Sequence, residues 1–282
     1  MIATVPPGGS PALTLLEPIG PDEYERFRRH VLALAAVDLD QYKREQLLRR
    51  LGGLRQRVGV RDLEEYAQRL RRDPAELERF RGWFTINVTE FFRAPDRWVR
   101  LRDQVLPSLL TERRQLRIWS AGCSHGAEVY SLLMLLDQYR NTGPHHLLAT
   151  DIDPAALATA RAGGPYAPAL LQNVGVAKLG TYFDQRPEGW YVRPDLCARP
   201  TFREADLLHE PIERHFDLIV CRNVVIYFTE PAKARVQSHF DRALRPGGIL
   251  FTGATELIPR GNPYGFEHIE PSFYRRPGAP HQ

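Results

Sequence analysis

The chain contains no apolar run approaching the roughly 20 residues that a membrane-spanning helix needs, which excludes a helical integral membrane protein. Residues 1–18 show neither a basic start before an apolar core nor a small-residue cleavage site, so no secretory signal is expected. There are only three cysteines, Cys123, Cys197 and Cys221, widely spaced and never paired as C-x-x-C. That argues against a disulfide scaffold or zinc knuckle and fits a reducing cytoplasm. A P-loop lysine and a G-x-G-x-x-G segment are both missing, so a nucleotide phosphate is not the natural guest. No histidine spacing suggests a metal site. A large excess of one charge is lacking too. Thirty-eight bases against 34 acids leave a net charge of +4, too little to imply nucleic-acid binding.

What is present is ordinary soluble globular composition, 43% hydrophobic and 26% charged, over 282 residues. That length suits one large domain or two modest ones. Residues 1–19, rich in Pro and Gly, read as a loose arm. From Asp22 to Trp83 the signals are helical. Asp22, Asp62 and Asp73 each stand three residues before a glutamate, as N-caps do, and Pro74 follows the last. Leu47, Leu51, Leu54 and Val58 form an apolar stripe, although Gly52 and Gly53 weaken that helix by about 1 kcal/mol each.

Beyond about Ala94 strands and helices alternate. Strands are expected at Leu116–Ala121, Leu147–Asp151, Phe216–Cys221 and Ile249–Ala254. Helices are expected at Ala127–Tyr139, from the Asp153–Pro154 cap to Arg161, and at Pro231–Leu244. This order predicts a parallel sheet with ligands at the carboxyl ends of its strands. The stretch Gly163–Arg203 interrupts the pattern. Short antiparallel strands are expected there at Tyr182–Asp184, Trp190–Val192 and Thr201–Arg203.

The first parallel strand runs into Gly122-Cys123-Ser124-His125-Gly126-Ala127-Glu128. Gly122 there permits close approach of a ligand to backbone at a helix start. An acid at Glu128 repels phosphate and suits an ammonium group. Asp151 ends the next strand, where a carboxylate can accept two ribose hydroxyls. Either acid alone could equally be a solvated or capping carboxylate. Their paired placement, with an ammonium at one strand and a ribose at the next, favours S-adenosyl-L-methionine as ligand. A rival motif occupies the same stretch, since Gly122-Cys123-Ser124-His125-Gly126 fits the G-x-S-x-G nucleophile elbow. A serine hydrolase would use Ser124 with a later acid and His239 or His268. It would also need several earlier strands and an oxyanion loop, and a helical segment stands there instead.

Four segments together carry a resemblance: Asn87-Val88-Thr89-Glu90-Phe91-Phe92-Arg93, Trp119 to Ser131, Asp151-Ile152-Asp153, and Cys221-Arg222-Asn223-Val224-Val225-Ile226-Tyr227-Phe228. In this order they resemble the signatures of CheR-type chemotaxis receptor methyltransferases, from about Asp22 to Tyr274. The resemblance implies an α/β, Rossmann-like S-adenosylmethionine-dependent methyltransferase domain, a small N-terminal all-helical domain and an inserted β-subdomain. It sets boundaries at 1–19 for a flexible arm, 20–90 for the helical domain, 91–276 for the methyltransferase domain with its β-subdomain at about 179–204, and 277–282 for a tail. It implies protein-glutamate O-methylation of methyl-accepting chemotaxis receptors in the cytoplasm, with S-adenosyl-L-homocysteine as product. A receptor tail docking on the β-subdomain is a further implication, without nucleic-acid or membrane insertion. Position by position, it puts Asn87, Thr89, Arg93, Gly122, Glu128, Asp151, Asp206, Leu207, Arg222 and Asn223 on the cofactor, and Arg93 and Tyr227 beside the transferred methyl. Two positions depart from the family: Ala127 replaces its first acid, and His125 a small hydroxyl residue. Phe91, Phe92 and Phe228 are expected in the core. Two neighbouring functions stay open, a related methyltransferase of a non-chemotaxis pathway and a cofactor-binding module without turnover.

Between Lys43 and Val60 stand six bases and one acid. Lys43, Arg50 and Arg57, seven apart, line up on one helix beside the leucine stripe. They are expected either to face solvent or to dock an acidic receptor surface.

Overall fold

Two aspartates start two of the N-terminal helices. The computed structural model describes residues 17–35, 37–85, 87, 89–139, 143–209 and 213–278; residues 1–16 of the expected arm and 279–282 of the expected tail lie outside them. The chain divides after Leu77 into two compact units. The first contains α1 (Pro21–Ala35), α2 (Arg44–Val58), α3 (Leu63–Arg72) and the start of α4 (Pro74–Phe84). Asp62 accepts the Glu65 N–H at 2.8 Å and Asp73 the Glu76 N–H at 3.1 Å, as their spacing predicts. Asp22 does not cap. Pro21, preset for a first helical position, starts α1 two residues before an Asp22 cap would, and the Gly20 N–H reaches Glu23 at 3.4 Å.

α2 runs unbroken through Gly52 and Gly53 and ends at Gly59 in the left-handed conformation. Leu47, Leu51 and Leu54 are buried on one side, which supplies the packing that outweighs the weak propensity of the glycines. Arg55 is buried as well. It donates to the carbonyls of Glu17 and Arg61, so one of the six bases is an internal strut rather than surface charge. Lys43 precedes the helix in extended conformation, Arg50 is half-buried and Arg57 exposed.

The second unit is built on a seven-stranded sheet. Its strands are β1 (Arg117–Ala121), β2 (His146–Asp151), β5 (Thr201–Glu204), β6 (Phe216–Cys221), β7 (Leu244–Thr252), β8 (Glu267–Glu270) and β9 (Phe273–Arg275), in the order β5-β2-β1-β6-β7-β9-β8. β5, β2, β1, β6 and β7 pair in parallel, while β9 pairs antiparallel with β7 and β8. The antiparallel end escaped the sequence reading because β8 and β9 span four and three residues, too short for a period-2 signal. The helices are α5 (Pro95–Arg100) and α6 (Leu106–Glu112), joined by a π-turn, then α7 (Ala127–Leu136), α8 (Pro154–Ala162), α9 (Val176–Tyr182), α10 (Pro194–Cys197) and α11 (Glu230–Ala243). α7, which follows β1, is buried along almost its whole length.

The interrupting stretch differs from expectation. β3 (Phe183–Arg186) and β4 (Gly189–Val192) form an antiparallel hairpin, as anticipated. The third segment does not join them. β5 pairs in parallel with β2, Leu148 opposite Thr201 through Asp151 opposite Glu204, and forms the edge of the main sheet. Phe202 packs against the core from that edge, its ring 6.3 Å from that of Tyr130. The parallel ladder with β2 gives Phe202 this seat on the core, a long-range packing that a local strand pattern does not record. The inserted β-element is therefore a two-stranded hairpin.

Phe91, Phe92 and Phe228 are buried, as expected. Phe91 meets Tyr166 and Phe183 edge-on, and Phe92 meets Trp98 in the same way. These aromatics hold the chain on both sides of Arg93.

Candidate active site

Strand order reverses between β1 and β6, so the crevice at their carboxyl ends is the topological switch point, where open α/β sheets bind ligands. Gly122, leaving β1, has φ +83°, and a Cβ there would stand 2.5 Å from Val224 Cγ2 on the loop after β6. Gly126 opens α7 at φ +89°, where a Cβ would press on Ala160. Only glycine allows both the turn and the two close approaches.

Glu128 lies in the first turn of α7, its side chain 12% exposed. Ser120, on β1, donates its hydroxyl to Oε1 at 2.8 Å, and Arg222 Nη1 stands 3.8 Å from Oε2. Burial pushes the Glu128 carboxyl up to about 7, against the pull of Arg222 and of the Ser120 hydroxyl. A carboxylate held so close to neutrality has room for a further cation. Asp151 is buried at the end of β2. Its Oδ2 accepts the Ser124 N–H at 2.7 Å and its Oδ1 the Asp153 N–H at 3.0 Å. Burial raises its pKa, and these backbone donors oppose the rise. Each oxygen keeps one lone pair for a hydroxyl.

Asp153 caps α8 through the N–H groups of Ala155 and Ala156. Its other oxygen accepts Thr85 Oγ1 at 2.8 Å and Asn87 Nδ2 at 2.6 Å. Although burial raises its pKa, these donors hold it below the usual carboxylate range. Ser124 Oγ donates to Asn87 Oδ1 at 2.9 Å. The Asn87 amide is thus tied at both ends to loops that follow β1 and β2.

Arg93 sits on a strained bend, with Phe92 at φ +51° and Ala94 at φ +57°. Left-handed backbone at side-chain-bearing residues costs about 1–3 kcal/mol each and persists only where surroundings over-determine it. Three hydrogen bonds do so. The Phe92 N–H donates to Ser131 Oγ at 3.0 Å, and the Arg93 carbonyl accepts both Trp98 Nε1 at 2.9 Å and Arg222 Nη2 at 2.7 Å. Arg222 is buried at the end of β6, its guanidinium 4.7 Å from the Phe251 ring centre and 5.4 Å from that of Trp98. Burial lowers its pKa, and the Glu128 charge opposes that. Asn223 follows at φ +62°, and the single 3₁₀ turn Val225–Tyr227 carries the half-buried Tyr227.

Asp206 caps its own turn by accepting the Leu208 N–H at 2.9 Å, and the Ala205 N–H donates to the Asp151 carbonyl. His239 Nδ1 donates to the Leu207 carbonyl at 3.0 Å. Thr89 is half-buried in the segment leading to Arg93. The second unit thus brings Asn87, Arg93, Gly122, Glu128, Asp151, Asp206, Leu207, Arg222, Asn223 and Tyr227 to the carboxyl side of its sheet. Sequence reasoning gave no role of their own to Ser120, Ser131 and Trp98. The two serines stand within the Trp119–Ser131 signature but only the fold shows what they hold, and Trp98 stands in no motif.

The hydrolase alternative fails on geometry. Ser124 Oγ lies 3.2 Å from His125 Nδ1, but among the described residues no carboxylate hydrogen-bonds His125, and burial lowers its pKa. His239 is occupied by Leu207, and His268 lies on the edge strand β8. Among the described residues no cluster of His, Cys, Asp and Glu could hold a metal ion.

Comparison with known proteins identifies the family. The family described as "CheR methyltransferase, SAM binding domain" matches residues 87–274, and "CheR methyltransferase, all-alpha domain" matches residues 22–85. A chemotaxis protein methyltransferase of Listeria monocytogenes is 37% identical over 253 residues, covering 89% of this chain and 96% of that protein. Chemotaxis protein methyltransferase 1 of Pseudomonas aeruginosa is 33% identical over 247 residues, covering 84% and 90% respectively.

Proposed function

This chain belongs to the CheR methyltransferase family and uses S-adenosylmethionine, and on that premise we propose that it esterifies glutamate side chains of bacterial chemoreceptors. The observation that carries the reading is the pair of acids, Glu128 in the first turn of the helix after β1 and the buried Asp151 at the end of the adjacent β2, beside the clamped Arg93 bend. Glu128 takes the cofactor's ammonium and Asp151 its ribose hydroxyls, with Asp206–Leu207 on the adenine side and Arg222–Asn223 beneath. The cofactor supplies a methyl group on a sulfonium, whose departure leaves a neutral thioether.

A substrate glutamate is ionised at neutral pH, so no general base is required. With the cofactor held by Glu128 and Asp151, its methyl carbon would pass to a substrate carboxylate oxygen and the carbon–sulfur electron pair would stay on sulfur. Two charges disappear in that step, so stabilising them more strongly would not accelerate it. The protein's contribution is positioning and exclusion of water. Arg93 orients one carboxylate oxygen, and Tyr227 holds the other. Lys43, Arg50 and Arg57 steer the acidic receptor helix, and the β3–β4 hairpin is a candidate for holding a receptor tail. Among the described residues no helix is long and apolar enough to cross a membrane, and the reading places the protein in the cytoplasm.

The direct experiment is incubation with tritiated S-adenosylmethionine and receptor-bearing membranes. Base-labile methyl label on receptor glutamates is expected, and base-stable label or none would sink the proposed substrate.

Cofactor binding should also be linked to a proton. Binding an ammonium beside Glu128 favours the ionised carboxyl, whose pKa in the free protein is about 7. Affinity should therefore hold above pH 7 and fall about tenfold per pH unit below it. In Glu128→Gln the affinity should be lower and this dependence lost. Titration calorimetry of S-adenosylhomocysteine from pH 5.5 to 8.5 checks both; equal slopes in the two proteins would remove Glu128 from the ammonium site.

A further inference from the structure

Glu256 has no part in the assignments above, yet it accepts four hydrogen bonds beside the site, as many as Asp153. It follows β7 and is 5% exposed. Its Oε1 accepts the N–H groups of Val224 at 2.8 Å and Val225 at 2.9 Å. Its Oε2 accepts those of Asn223 at 2.6 Å and Gly253 at 2.7 Å. Four backbone donors fill the acceptor capacity of the two oxygens. A buried carboxylate is tolerated only when so satisfied, and here three of the four donors belong to one loop. That loop holds Asn223 at φ +62° and passes directly into the 3₁₀ turn ending at Tyr227. A lone 3₁₀ turn after a left-handed residue has little intrinsic preference for its shape.

We infer that Glu256 is a positioning residue for methyl transfer: its carboxylate ties the Asn223–Val225 backbone to the end of β7 and so sets the directions of the Asn223 and Tyr227 side chains. The inference rests on the reading that Tyr227 serves the transfer. Gly253 offers an independent way to disturb the same contact. A Cβ there would stand 2.4 Å from Glu256 Oε2 and 3.0 Å from the Asn223 nitrogen, so Gly253→Ala wedges the carboxylate off the loop without removing it.

Glu256→Gln and Gly253→Ala should each lower kcat toward receptor membranes by about 100-fold, the scale of a small misplacement near reacting atoms, while the Kd for S-adenosylhomocysteine changes by less than about tenfold. Nuclear magnetic resonance of labelled protein should show the Asn223–Val225 amides and the Tyr227 ring shifted or broadened, with the amides of β1 and β2 as in the wild type. Retention of kcat within about threefold in a folded variant whose loop resonances have moved would overturn the inference, as would unmoved loop resonances in both variants. Equal disturbance throughout the sheet would also overturn it, because it would mark a merely structural role. If wild-type protein labels no receptor glutamate, the proposed substrate fails by itself, and the Tyr227 signal still decides whether Glu256 sets that ring.

Discussion

Arg222→Ala is expected to destabilise the protein by about 3–5 kcal/mol, the range for removing one partner of a buried ion pair. Arg222 lies 8% exposed between Glu128, the Arg93 carbonyl and the rings of Trp98 and Phe251. Its loss would remove a charge-assisted hydrogen bond and two desolvated cation–π contacts together. It would also change Glu128. Deprived of its nearest cation, a carboxyl already near pH 7 rises further and takes up a proton at neutral pH. Protonation limits the charge penalty but removes the anion that the cofactor's ammonium needs, so affinity falls with stability. Arg222→Met should recover some stability through packing on the two rings and none of the affinity. Urea denaturation and calorimetry report the two effects separately. An Arg222→Ala protein with the wild-type midpoint would refute the buried-pair account.

Arg93→Ala is expected to reduce receptor methylation by about 100-fold or more at saturating cofactor, with little change in thermal midpoint. The contrast follows from which atoms hold the bend. Phe92 N–H on Ser131 and the two donors on the Arg93 carbonyl engage only backbone atoms of the bend, and Phe91 and Phe92 are buried beside it. A guanidinium offers planar, paired donors that match a carboxylate. Lysine keeps the charge without the fork, so Arg93→Lys should recover only a small part of the rate. Tyr227→Phe should stay folded and lower the rate less than Arg93→Ala does. A folded Arg93→Ala enzyme at wild-type speed would transfer the orienting role elsewhere and remove the reason for straining Phe92 and Ala94.

Much of the site was legible because its carriers are local. Asp151 and Glu128 stand where a strand stops and a helix begins, and both boundaries are written in short stretches of alternating apolar residues and capping groups. The Asp62 and Asp73 caps were read from a glutamate three residues on, the Asp153 cap from the Pro154 that follows it, and all three stand as read. Asp22 failed by the same local logic, since Pro21 competed for the helix start. Other roles were hidden. Asn87 was assigned to cofactor through resemblance, and the structure engages its amide with Asp153, 66 residues away, and with Ser124, 37 away. Arg55 was one of six bases in a count along the chain, and its carbonyl partners make it internal.

The amino-acid sequence by itself determined the alternating strands and helices, the acids at two strand ends and the motif order that marks the family. Each depends on residues within a turn or two of one another, where backbone preference and hydrophobic period act directly. Tertiary structure alone decided that β5 leaves the hairpin for β2, that Arg222 bridges Glu128 and a carbonyl 129 residues away, and that Glu256 collects the amides of a loop about 30 residues earlier. The physical reason is the burial of polar groups. A charged side chain removed from water must find every partner in the folded chain, and which backbone groups converge on it is set by how the sheet stacks its carboxyl ends, not by neighbours in sequence.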